Sequence, residues 1–257
     1  MQQFQRVERH AHGAWSALRW LALDWPEVQR ALNGEGLDDV RPWHPWSWKA
    51  DTRYLLASHK DEPVFLKLLD DGELAGRELA VHAWLLQQEL TDGRRWFAPL
   101  VASGTVQGSQ YLAFQWLEAV PLSRFATGSI QRDRRRAFLT SLNRIHAHLV
   151  QAQLIHRDIR PANVLVPATG SDLSLVDFAF AVGTGPLSAT FDELSTTVRH
   201  HRRLQRLGHG YSPEEGTWDD AYSLARVMEY IDPDCHGVDA FEQVRKSICQ
   251  RVHVTRR

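Results

Sequence analysis

The sequence predicts a mixed α+β protein with two lobes, the first built on antiparallel strands and the second mainly helical. Two runs rich in strand-forming residues, 53–57 and 64–69, flank a short polar stretch and therefore predict a β-hairpin. Residues 131–151 repeat apolar side chains at the 3.6-residue spacing of a long amphipathic helix. After this helix in the sequence, three short strand-like pieces enclose two polar loops, and mostly helical sequence follows from residue 212.

The composition is that of a globular protein. Of the 257 residues, 43% are hydrophobic and 24% are charged, and the formal net charge is -1, which excludes a disordered chain, a collagen and a disulfide scaffold. The two cysteines, Cys235 and Cys249, are too few for a secreted scaffold and lack metal-site spacing, so we expect a reducing, cytoplasmic environment. The opening residues lack the apolar core of a signal peptide. The sequence also contains no run of about eighteen consecutive apolar residues, the length needed to cross a membrane. The balanced charge gives no reason to expect a nucleic-acid partner.

The chain divides into three predicted regions. Six of the ten tryptophans fall within the first 48 residues, and residues 14–32 space their apolar side chains like a helix, so residues 1–40 are expected to form a helical N-terminal extension. The first lobe is predicted at residues 41–117, with an antiparallel sheet and one helix near residues 73–90. The second lobe follows at residues 118–257.

Three oxygen-bearing side chains stand at the ends of the strand-like pieces of the second lobe. Asp158 lies between the first two pieces, Asn163 begins the second, and Asp177 follows the third. Carboxylate and amide oxygens suit Mg²⁺, which takes one or two protein carboxylates and completes its shell with phosphates and water. Each residue alone is more often a turn cap. Together they predict a site for a metal-bound nucleotide.

The same stretch carries the sequence pattern of a known family. Residues 156–163 read His-Arg-Asp-Ile-Arg-Pro-Ala-Asn and match the catalytic-loop pattern H-R-D-x-x-x-x-N, while residues 177–179 read Asp-Phe-Ala, a variant of D-F-G. The chain thus resembles the protein-kinase-like superfamily over roughly residues 50–231. The resemblance implies a bilobal protein-kinase-like fold, with a catalytic loop at residues 155–164, that binds ATP and Mg²⁺ in a cleft and transfers the γ-phosphoryl group to a hydroxyl.

The resemblance assigns a role to each polar residue of this region. Asp158 would accept or orient the proton of the acceptor hydroxyl, and Asn163 and Asp177 would hold Mg²⁺. Arg160 stands where serine/threonine kinases carry a lysine near the transferred phosphate, which makes it a further catalytic candidate. Asp220 begins a helix whose aspartate braces the catalytic loop in this family, so Asp220 is expected to be structural.

Lys67 interrupts an otherwise apolar strand, where an ammonium group without an anionic partner is costly to bury. The resemblance supplies two partners, the phosphates of ATP and a glutamate of the following helix, and so makes Lys67 a catalytic and nucleotide-binding candidate. Glu78 is the first choice for that glutamate because it opens the amphipathic part of the helix, and Glu73 is the second. The alternative is a lysine whose amine reaches solvent from an edge strand.

A strand predicted at residues 111–117 leads into the connection between the lobes. The resemblance places the adenine-contacting segment there, at Gln115, Trp116, Leu117 and Glu118, where exposed backbone groups would pair with the edge of adenine. Trp116 or Leu117 would add apolar contact.

Two features depart from the family pattern. Residues 41–53, where a phosphate-covering loop is expected, contain no glycine, and Ala179 replaces the glycine of D-F-G. Both changes limit the freedom of the backbone to approach phosphates, so a pseudokinase that does not turn over stays open as an alternative. Retention of the lysine, both aspartates and the asparagine favours an active enzyme.

The stretch after residue 231 is short for a protein kinase, which predicts a truncated helical C-lobe. Compact kinase-like enzymes that act on sugars tolerate such a loss, and the H-R-D-I-R-P-x-N loop resembles those of bacterial surface-polysaccharide kinases. The preferred acceptor is therefore a cell-surface glycan, a lipopolysaccharide sugar or another small molecule. A serine/threonine protein kinase ranks close behind.

Two arginine-rich clusters have the charge to meet an anionic acceptor, or to make a peripheral contact with the anionic inner membrane. One spans residues 132–136 and the other spans residues 199–206. A solvated protein surface is the alternative interpretation of both. His200, His201 and His209 do not have the spacing of a zinc site, so no metal is assigned to them.

Overall fold

The structure is a computed structural model, and it confirms the α+β class. It describes residues 15, 17–45, 48–49, 51–88, 95–125, 128, 130–184, 208, 211–212, 217–250 and 253–254. The chain forms two compact units. The first unit comprises Met1–Leu79 and Pro99–Trp116, and the second comprises Ala80–Ala98 and Leu117–Arg257.

The first unit is built on a five-stranded antiparallel sheet with the strand order β1-β2-β3-β5-β4. Its strands are β1 (Leu37–Pro42), β2 (Thr52–His59), β3 (Glu62–Leu69), β4 (Leu100–Val106) and β5 (Ser109–Gln115). The predicted hairpin is confirmed as β2 and β3, which pair without interruption along their whole length. Lys60 and Asp61 turn the chain with φ of 52° and 66°, the left-handed conformation that a two-residue hairpin turn needs.

The chain leaves the helical conformation before residue 40, where the sequence predicts a helical extension. Helical residues 17–23 (α1) and helix α2 (Trp25–Gly34) are followed by strand β1 from Leu37. Gly36 has φ of 78°, which ends the helix and redirects the chain into the sheet. Buried Leu37 and Val40 are three residues apart, a helix-like spacing that arises here from a bulge in the pairing of β1 with β2. Apolar spacing therefore does not distinguish a helix from a bulged strand at this point.

The sheet of the first unit uses its two faces differently. On one face, Leu66 of β3 belongs to an apolar cluster that includes Trp20 of α1 and Leu32 of α2. Because successive strand residues point to opposite faces, Lys67 lies on the other face, where helix α3 (Gly72–Gln87) begins. The tryptophan-rich N-terminal helices thus cover the apolar face, and the second face is left for the lysine.

The second unit is mainly helical and carries several short strands. Its helices include α4 (Arg132–Gln151), α5 (Asp220–Ile231) and α6 (Asp239–Lys246). Its strands are β6 (Ala119–Pro121), β7 (Leu154–Ile155), β8 (Val164–Pro167), β9 (Ser174–Leu175), β10 (Val182–Gly183), β11 (Tyr211–Ser212), β12 (Thr217–Trp218) and β13 (His253–Val254). The long helix predicted at residues 131–151 is confirmed as α4, whose Phe138, Leu142 and Ile145 are buried in the core of this unit.

The three strand-like pieces predicted after α4 are present with shifted ends. Residues 154–155 form β7, the piece predicted at residues 163–166 forms β8 one residue later, and the piece predicted at residues 173–176 is shortened to β9. Strand β5 lies two residues before its predicted position. Helix α3 ends at Gln87, and residues 89–90 of the predicted helix lie outside the described residues.

The arginine cluster of residues 132–136 is partly engaged by the protein itself. Arg134 donates to a backbone carbonyl of β8 at 3.1 Å, and its guanidinium lies 5.2 Å from the ring centroid of Phe138. Arg135 donates to a backbone carbonyl at 3.0 Å. The second cluster, residues 199–206, lies outside the described residues. Across the part of the chain that the structure describes, no helix combines the length and the apolar composition needed to cross a bilayer.

Gly104 and Gly76 lead to opposite predictions for an added methyl group. A Cβ at Gly104 of β4 would lie 2.7 Å from the ring of its cross-strand partner Tyr111, so Gly104→Ala should displace that ring and lower the free energy of unfolding by about 1–3 kcal/mol. Gly76 lies within α3, and no described atom outside the helix is within 4 Å of an added Cβ. Gly76→Ala should therefore raise the free energy of unfolding by about 0.5–1 kcal/mol. Denaturant unfolding measures both effects, and two changes of the same sign would contradict the described packing of β4 on β5.

Candidate active site

Lys67 and Glu78 form a buried ion pair in the first unit. The Nζ atom lies 2.6 Å from Oε2, and the two side chains are 7% and 2% exposed. Glu78 stands on α3, whose start is fixed by Asp71, since its Oδ1 accepts the backbone N–H of Leu74 at 3.2 Å. The predicted pairing of Lys67 with Glu78 is confirmed. Removal of either partner would leave an uncompensated buried charge, so each residue holds the other in place.

Lys67 lies in the centre of the sheet. Strand β3 is the middle one of the five, and Lys67 pairs in register with Tyr54 of β2 and Leu112 of β5. The alternative of a lysine that reaches solvent from an edge strand is therefore wrong. Glu73, the second choice for the partner, lies instead near Arg77. Burial lowers the pKa of Arg77 to about 10, and Glu73 opposes that shift.

The catalytic-loop segment is held by a carboxylate from a helix. Residues 156–163 connect β7 to β8. Asp220, in the first turn of α5, accepts the backbone N–H of His156 at 2.5 Å and that of Arg157 at 3.0 Å. Arg157 has φ of 68°, a conformation that is costly for a residue with a side chain and persists only where its surroundings enforce it. The structural role predicted for Asp220 is confirmed.

Asp158 is buried, and each of its carboxylate oxygens accepts a hydrogen bond. Oδ1 accepts the backbone N–H of Gly208 at 3.0 Å, and Oδ2 accepts Nδ2 of Asn163 at 3.0 Å. Arg160 forms an ion pair with Oδ2 at 3.2 Å, and its side chain is 40% exposed. The Nδ2 group of Asn163 also donates to the Asp158 carbonyl at 2.9 Å, which leaves Oδ1 as the acceptor end of the amide. The structure thus brings these three predicted residues together.

Asp158 and Asp177 are close enough for their charges to interact. Burial raises the pKa of Asp158 above its ordinary value, Arg160 opposes the rise, and the Asp177 carboxylate adds to it. Asp177 follows β9 with φ of 68° and ψ of 64°, a left-handed conformation. Such strain in a residue other than glycine is concentrated at functional sites. A bound cation would relieve the repulsion between the two carboxylates.

Phe178 fixes the segment that follows Asp177. Its buried ring lies edge-on to His82 of α3 at 5.2 Å and tilted against His156 of the loop at 4.7 Å. The backbone N–H of Asp158 donates to Nδ1 of His156, so Nε2 carries the hydrogen and donates to the carbonyl that precedes Asp177 at 3.1 Å. His156 therefore ties the chain before Asp177 to the catalytic loop.

Ala179 fits its position without backbone strain. Phe178–Phe180 forms one turn of 3₁₀ helix, a conformation that alanine adopts as readily as glycine. The Ala179 side chain is buried. Replacement of the family's glycine at this position is therefore compatible with an intact loop.

The predicted adenine-contacting segment is partly engaged in backbone bonding. The N–H groups of Gln115 and Trp116 donate to neighbouring proline carbonyls at 2.8 and 3.1 Å. The carbonyls of Leu117 and Glu118 accept backbone N–H groups at 2.8 and 3.1 Å. Among the described residues, these bonds leave the carbonyl of Trp116 and the N–H groups of Leu117 and Glu118 without a backbone partner.

Sequence reasoning missed two residues of the site, Gly208, which contacts the catalytic loop, and His82, which contacts Phe178. An added Cβ at Gly208 would lie 3.1 Å from a backbone carbonyl of the loop, so glycine lets this N–H reach Asp158. No local pattern marks that contact, because the two residues are 50 positions apart. His82 follows Glu78 by four residues, a spacing that places both on one face of α3 and that offered a usable signal.

The site offers oxygen donors and not a cluster of soft or nitrogen ligands. In the described parts of the chain, no three or more His, Cys, Asp and Glu side chains are grouped so as to hold a metal ion. The predicted magnesium ligands, Asn163 and Asp177, are an amide and a carboxylate. His200, His201 and His209, for which no zinc site was expected, lie outside the described residues.

Comparison with known proteins supports the kinase resemblance. No model of a protein family matches the chain. The chain is similar to the serine/threonine-protein kinase PrkC of Bacillus subtilis, with 26% identity over 126 residues, and to the serine/threonine-protein kinase PknA of Mycobacterium tuberculosis, with 31% identity over 121 residues. Each match covers 46% of this chain, but only 18% of PrkC and 27% of PknA, so the chain spans less than a third of the length of these relatives. The similarity supports the resemblance of this chain to the protein-kinase-like superfamily.

Removal of the Asp220 carboxylate should destabilise the protein. Asp220→Ala takes the acceptor from two buried N–H groups, which is expected to lower the free energy of unfolding by about 2 kcal/mol or more. Asp239→Ala is the matched control, since Asp239 is an exposed acid in the first turn of α6, and should cost at most about 1 kcal/mol. Urea unfolding measures both. A loss for Asp220→Ala no larger than that of the control would show that other contacts hold the loop.

The raised pKa of Asp158 makes stability depend on pH. In the folded protein the buried carboxyl keeps its proton as the pH rises above the ordinary value of 3.8, while the unfolded chain loses it. The free energy of unfolding therefore falls as the pH rises above 3.8. Asp158→Asn should remove the part of this decrease that Asp158 causes. The variant is expected to be more stable than the wild type, by a difference that grows from about pH 4 and then levels off. Denaturant unfolding of both proteins across this pH range checks the sign, and a difference that shrinks with pH would mean a lowered pKa.

Proposed function

We propose that this chain is an ATP- and Mg²⁺-dependent kinase that transfers the γ-phosphoryl group of ATP to a hydroxyl. The observation that carries the proposal is the arrangement of the catalytic loop, where buried Asp158 bonds to Asn163 and its charge interacts with that of Asp177. In the first unit, Glu78 holds the ammonium group of Lys67, a cation of the kind that binds nucleotide phosphates. The similarity to bacterial serine/threonine kinases supports the same chemistry.

Asn163 and Asp177 would hold Mg²⁺. Their donor atoms are an amide oxygen and a carboxylate, the hard ligands that this ion prefers. The amide of Asn163 directs Nδ2 at Asp158, so its oxygen is the end that suits a cation. The repulsion between Asp158 and Asp177 points the same way, because a positive ion beside them would offset it. Bound Mg²⁺ would neutralise charge on the phosphates.

Asp158 accepts or orients the proton of the acceptor hydroxyl in this proposal. A general base works best with a pKa near the working pH, and burial moves the pKa of Asp158 upward in that direction. The N–H of Gly208 and the amide of Asn163 hold its two oxygens, so the carboxylate is oriented before an acceptor binds. Arg160 is paired with Asp158 but partly exposed, and would direct positive charge at the transferred phosphate.

Lys67 would contact the phosphates of the nucleotide. Its position in the central strand and its ion pair with Glu78 restrict the movement of the ammonium group, which lowers the entropy cost of binding. The carbonyl of Trp116 and the N–H of Leu117 would pair with the edge of adenine. Both are backbone groups that the described hydrogen bonds leave for a ligand.

The acceptor is the hydroxyl of a protein or of a glycan. Relatives named serine/threonine-protein kinases favour a serine or threonine of a protein. The short C-lobe and the H-R-D-I-R-P-x-N loop favour a glycan, but the arginine clusters add little to that preference, because Arg134 and Arg135 of the first cluster are bonded within the protein. We therefore place the protein hydroxyl first and a lipopolysaccharide or other glycan hydroxyl second.

Three substitutions should each abolish turnover. Asp158→Asn removes the base, Asp177→Asn removes a metal-binding charge, and Lys67→Met removes the phosphate contact. Each is expected to lower the rate of phosphoryl transfer by about 100-fold or more. Asp172→Asn is the control, since it changes an exposed carboxylate that pairs with Arg144, and should leave the rate unchanged. Circular dichroism melting confirms that each variant is folded before its rate is compared.

The assay incubates γ-labelled ATP and Mg²⁺ with a generic protein substrate, with purified surface glycan, or with neither. Label on serine or threonine supports the first acceptor, and label on the glycan supports the second. A wild-type protein that binds ATP but labels nothing and consumes none would be the pseudokinase. Turnover that survives in both aspartate variants would refute the roles assigned to these residues.

A further inference from the structure

Four tryptophans connect helix α1 with the loop between β1 and β2. The ring of Trp20 in α1 lies edge-on to Trp48 in the loop, with centroids 5.3 Å apart. Nε1 of Trp48 donates to the carbonyl of Trp43 at 2.9 Å, and the ring of Trp43 lies edge-on to Trp116 at 5.7 Å. These four residues, here called the tryptophan row, run within the first unit from α1 through the loop to the predicted adenine-contacting segment.

Two members of the tryptophan row are part of the core, and the other two, Trp43 and Trp116, are half-buried. Trp20 and Trp48 are each 8% exposed, and both belong to the apolar cluster on the sheet face opposite Lys67. Edge-on aromatic pairs stabilise a structure beyond the area that they bury. The hydrogen bond from Trp48 also fixes the orientation of its indole. Movement of the loop would therefore disturb buried contacts on its α1 side.

Backbone bonds connect the loop to the strand that carries Lys67. The N–H of Trp43 donates to the carbonyl of Tyr54 at 2.8 Å, and Tyr54 pairs in register with Lys67. Farther along the loop, Lys49 and Thr52 form an antiparallel bridge. A displacement of Trp43 would thus act on the same row of backbone bonds that positions Lys67.

Trp20 makes a second connection, to the end of β3. The guanidinium of Arg53 lies 4.8 Å from the Trp20 ring centroid, and its Nη1 lies 2.8 and 2.9 Å from the two carboxylate oxygens of Asp70. Asp70 directly follows β3, three positions after Lys67. One residue of α1 therefore contacts both the loop and the cation that pairs with the end of the lysine strand.

We propose that the tryptophan row positions the loop between β1 and β2, of which the structure describes residues 43–45, 48–49 and 51, so that α1 supports nucleotide binding without contacting the nucleotide. The inference rests on the proposed kinase function and extends it. A glycine-rich loop approaches phosphates because its backbone is free to adapt. Residues 41–53 have no glycine, so this loop must be arranged before the nucleotide binds, and Trp20, Trp48 and Trp43 are its positioning residues.

Loop order can be measured without nucleotide. Lys49 in the loop and Lys60 in the β2–β3 turn are both exposed, and a lysine-specific protease can cut after each. Trp20→Leu and Trp48→Leu should raise the rate of cleavage after Lys49, relative to Lys60, by about threefold or more, because opening of the loop becomes less costly. Trp15→Leu is the matched control, since it changes a tryptophan that is 68% exposed, and should leave the ratio unchanged.

Nucleotide affinity is the second measurement. Trp48→Leu is expected to weaken the binding of a fluorescent ATP analogue by about threefold to tenfold, the scale of one aromatic pair and one hydrogen bond. It should raise the KM for ATP more than it lowers kcat. Trp48→Phe keeps a ring but loses the Nε1 bond, so its affinity should lie between those of Trp48→Leu and the wild type. Trp15→Leu should bind like the wild type.

The outcomes separate the two proposals. If the wild type binds ATP, and Trp20→Leu and Trp48→Leu change neither cleavage nor affinity, the positioning role is overturned while the kinase proposal stands. Faster cleavage with unchanged affinity also overturns it, since the row would then stabilise the loop without serving the nucleotide. A wild type that binds no ATP overturns both. If a leucine variant does not fold, Trp20→Phe and Trp48→Phe provide the same comparison with less loss of packing.

Discussion

The Asp220 carboxylate holds the backbone on which the rest of the site depends. It accepts two consecutive N–H groups, and hydrogen bonds to a charged acceptor are roughly twice as strong as neutral ones. Two neighbouring N–H groups can point at one acceptor because Arg157 adopts a left-handed conformation. Helix α5 is fixed in turn by Asp219, whose side chain caps its first turn. The position of Asp158 thus follows from a helix that begins more than sixty residues later.

Buried charge is treated differently in the two units. Lys67 and Glu78 compensate each other, so their burial requires no ligand. In the second unit, burial raises the pKa of Asp158, Arg160 opposes the rise only in part, and the half-buried Asp177 carboxylate adds to it. Local instability of this kind is common where a protein is organised for chemistry and not for maximum stability. The contrast identifies the catalytic loop, and not the lysine strand, as the place where a cation has most to stabilise.

The features that the sequence predicts well are set by residues close together in the chain. The β2–β3 hairpin and α4 follow from local periodicity, and the catalytic loop from a motif of eight residues. The pairing of Lys67 with Glu78 was accessible because family resemblance narrowed the choice to a few acids on one helix. Strand β1 could not be predicted from the sequence, because its bulge gives buried Leu37 and Val40 the spacing of a helix.

Contacts between distant parts of the chain could not be predicted from the sequence, for a different reason. Gly208 donates a hydrogen bond to Asp158, fifty positions away, and no periodic sequence pattern indicates such a contact. The tryptophan row was visible only as an excess of tryptophan near the N-terminus. Composition showed that large rings must be buried somewhere, whereas the pairing of Trp20 with Trp48 depends on how α1 lies on the sheet.

The left-handed backbone at Asp177 allows the fold and the proposed activity to change independently in evolution. Apart from glycine, aspartate and asparagine are the residues that most readily adopt this conformation. A lineage that exchanged aspartate for asparagine here would lose a charge but meet no new steric barrier. In the proposed kinase, phosphoryl transfer would therefore be lost in one mutational step while the fold remains stable and available for binding functions.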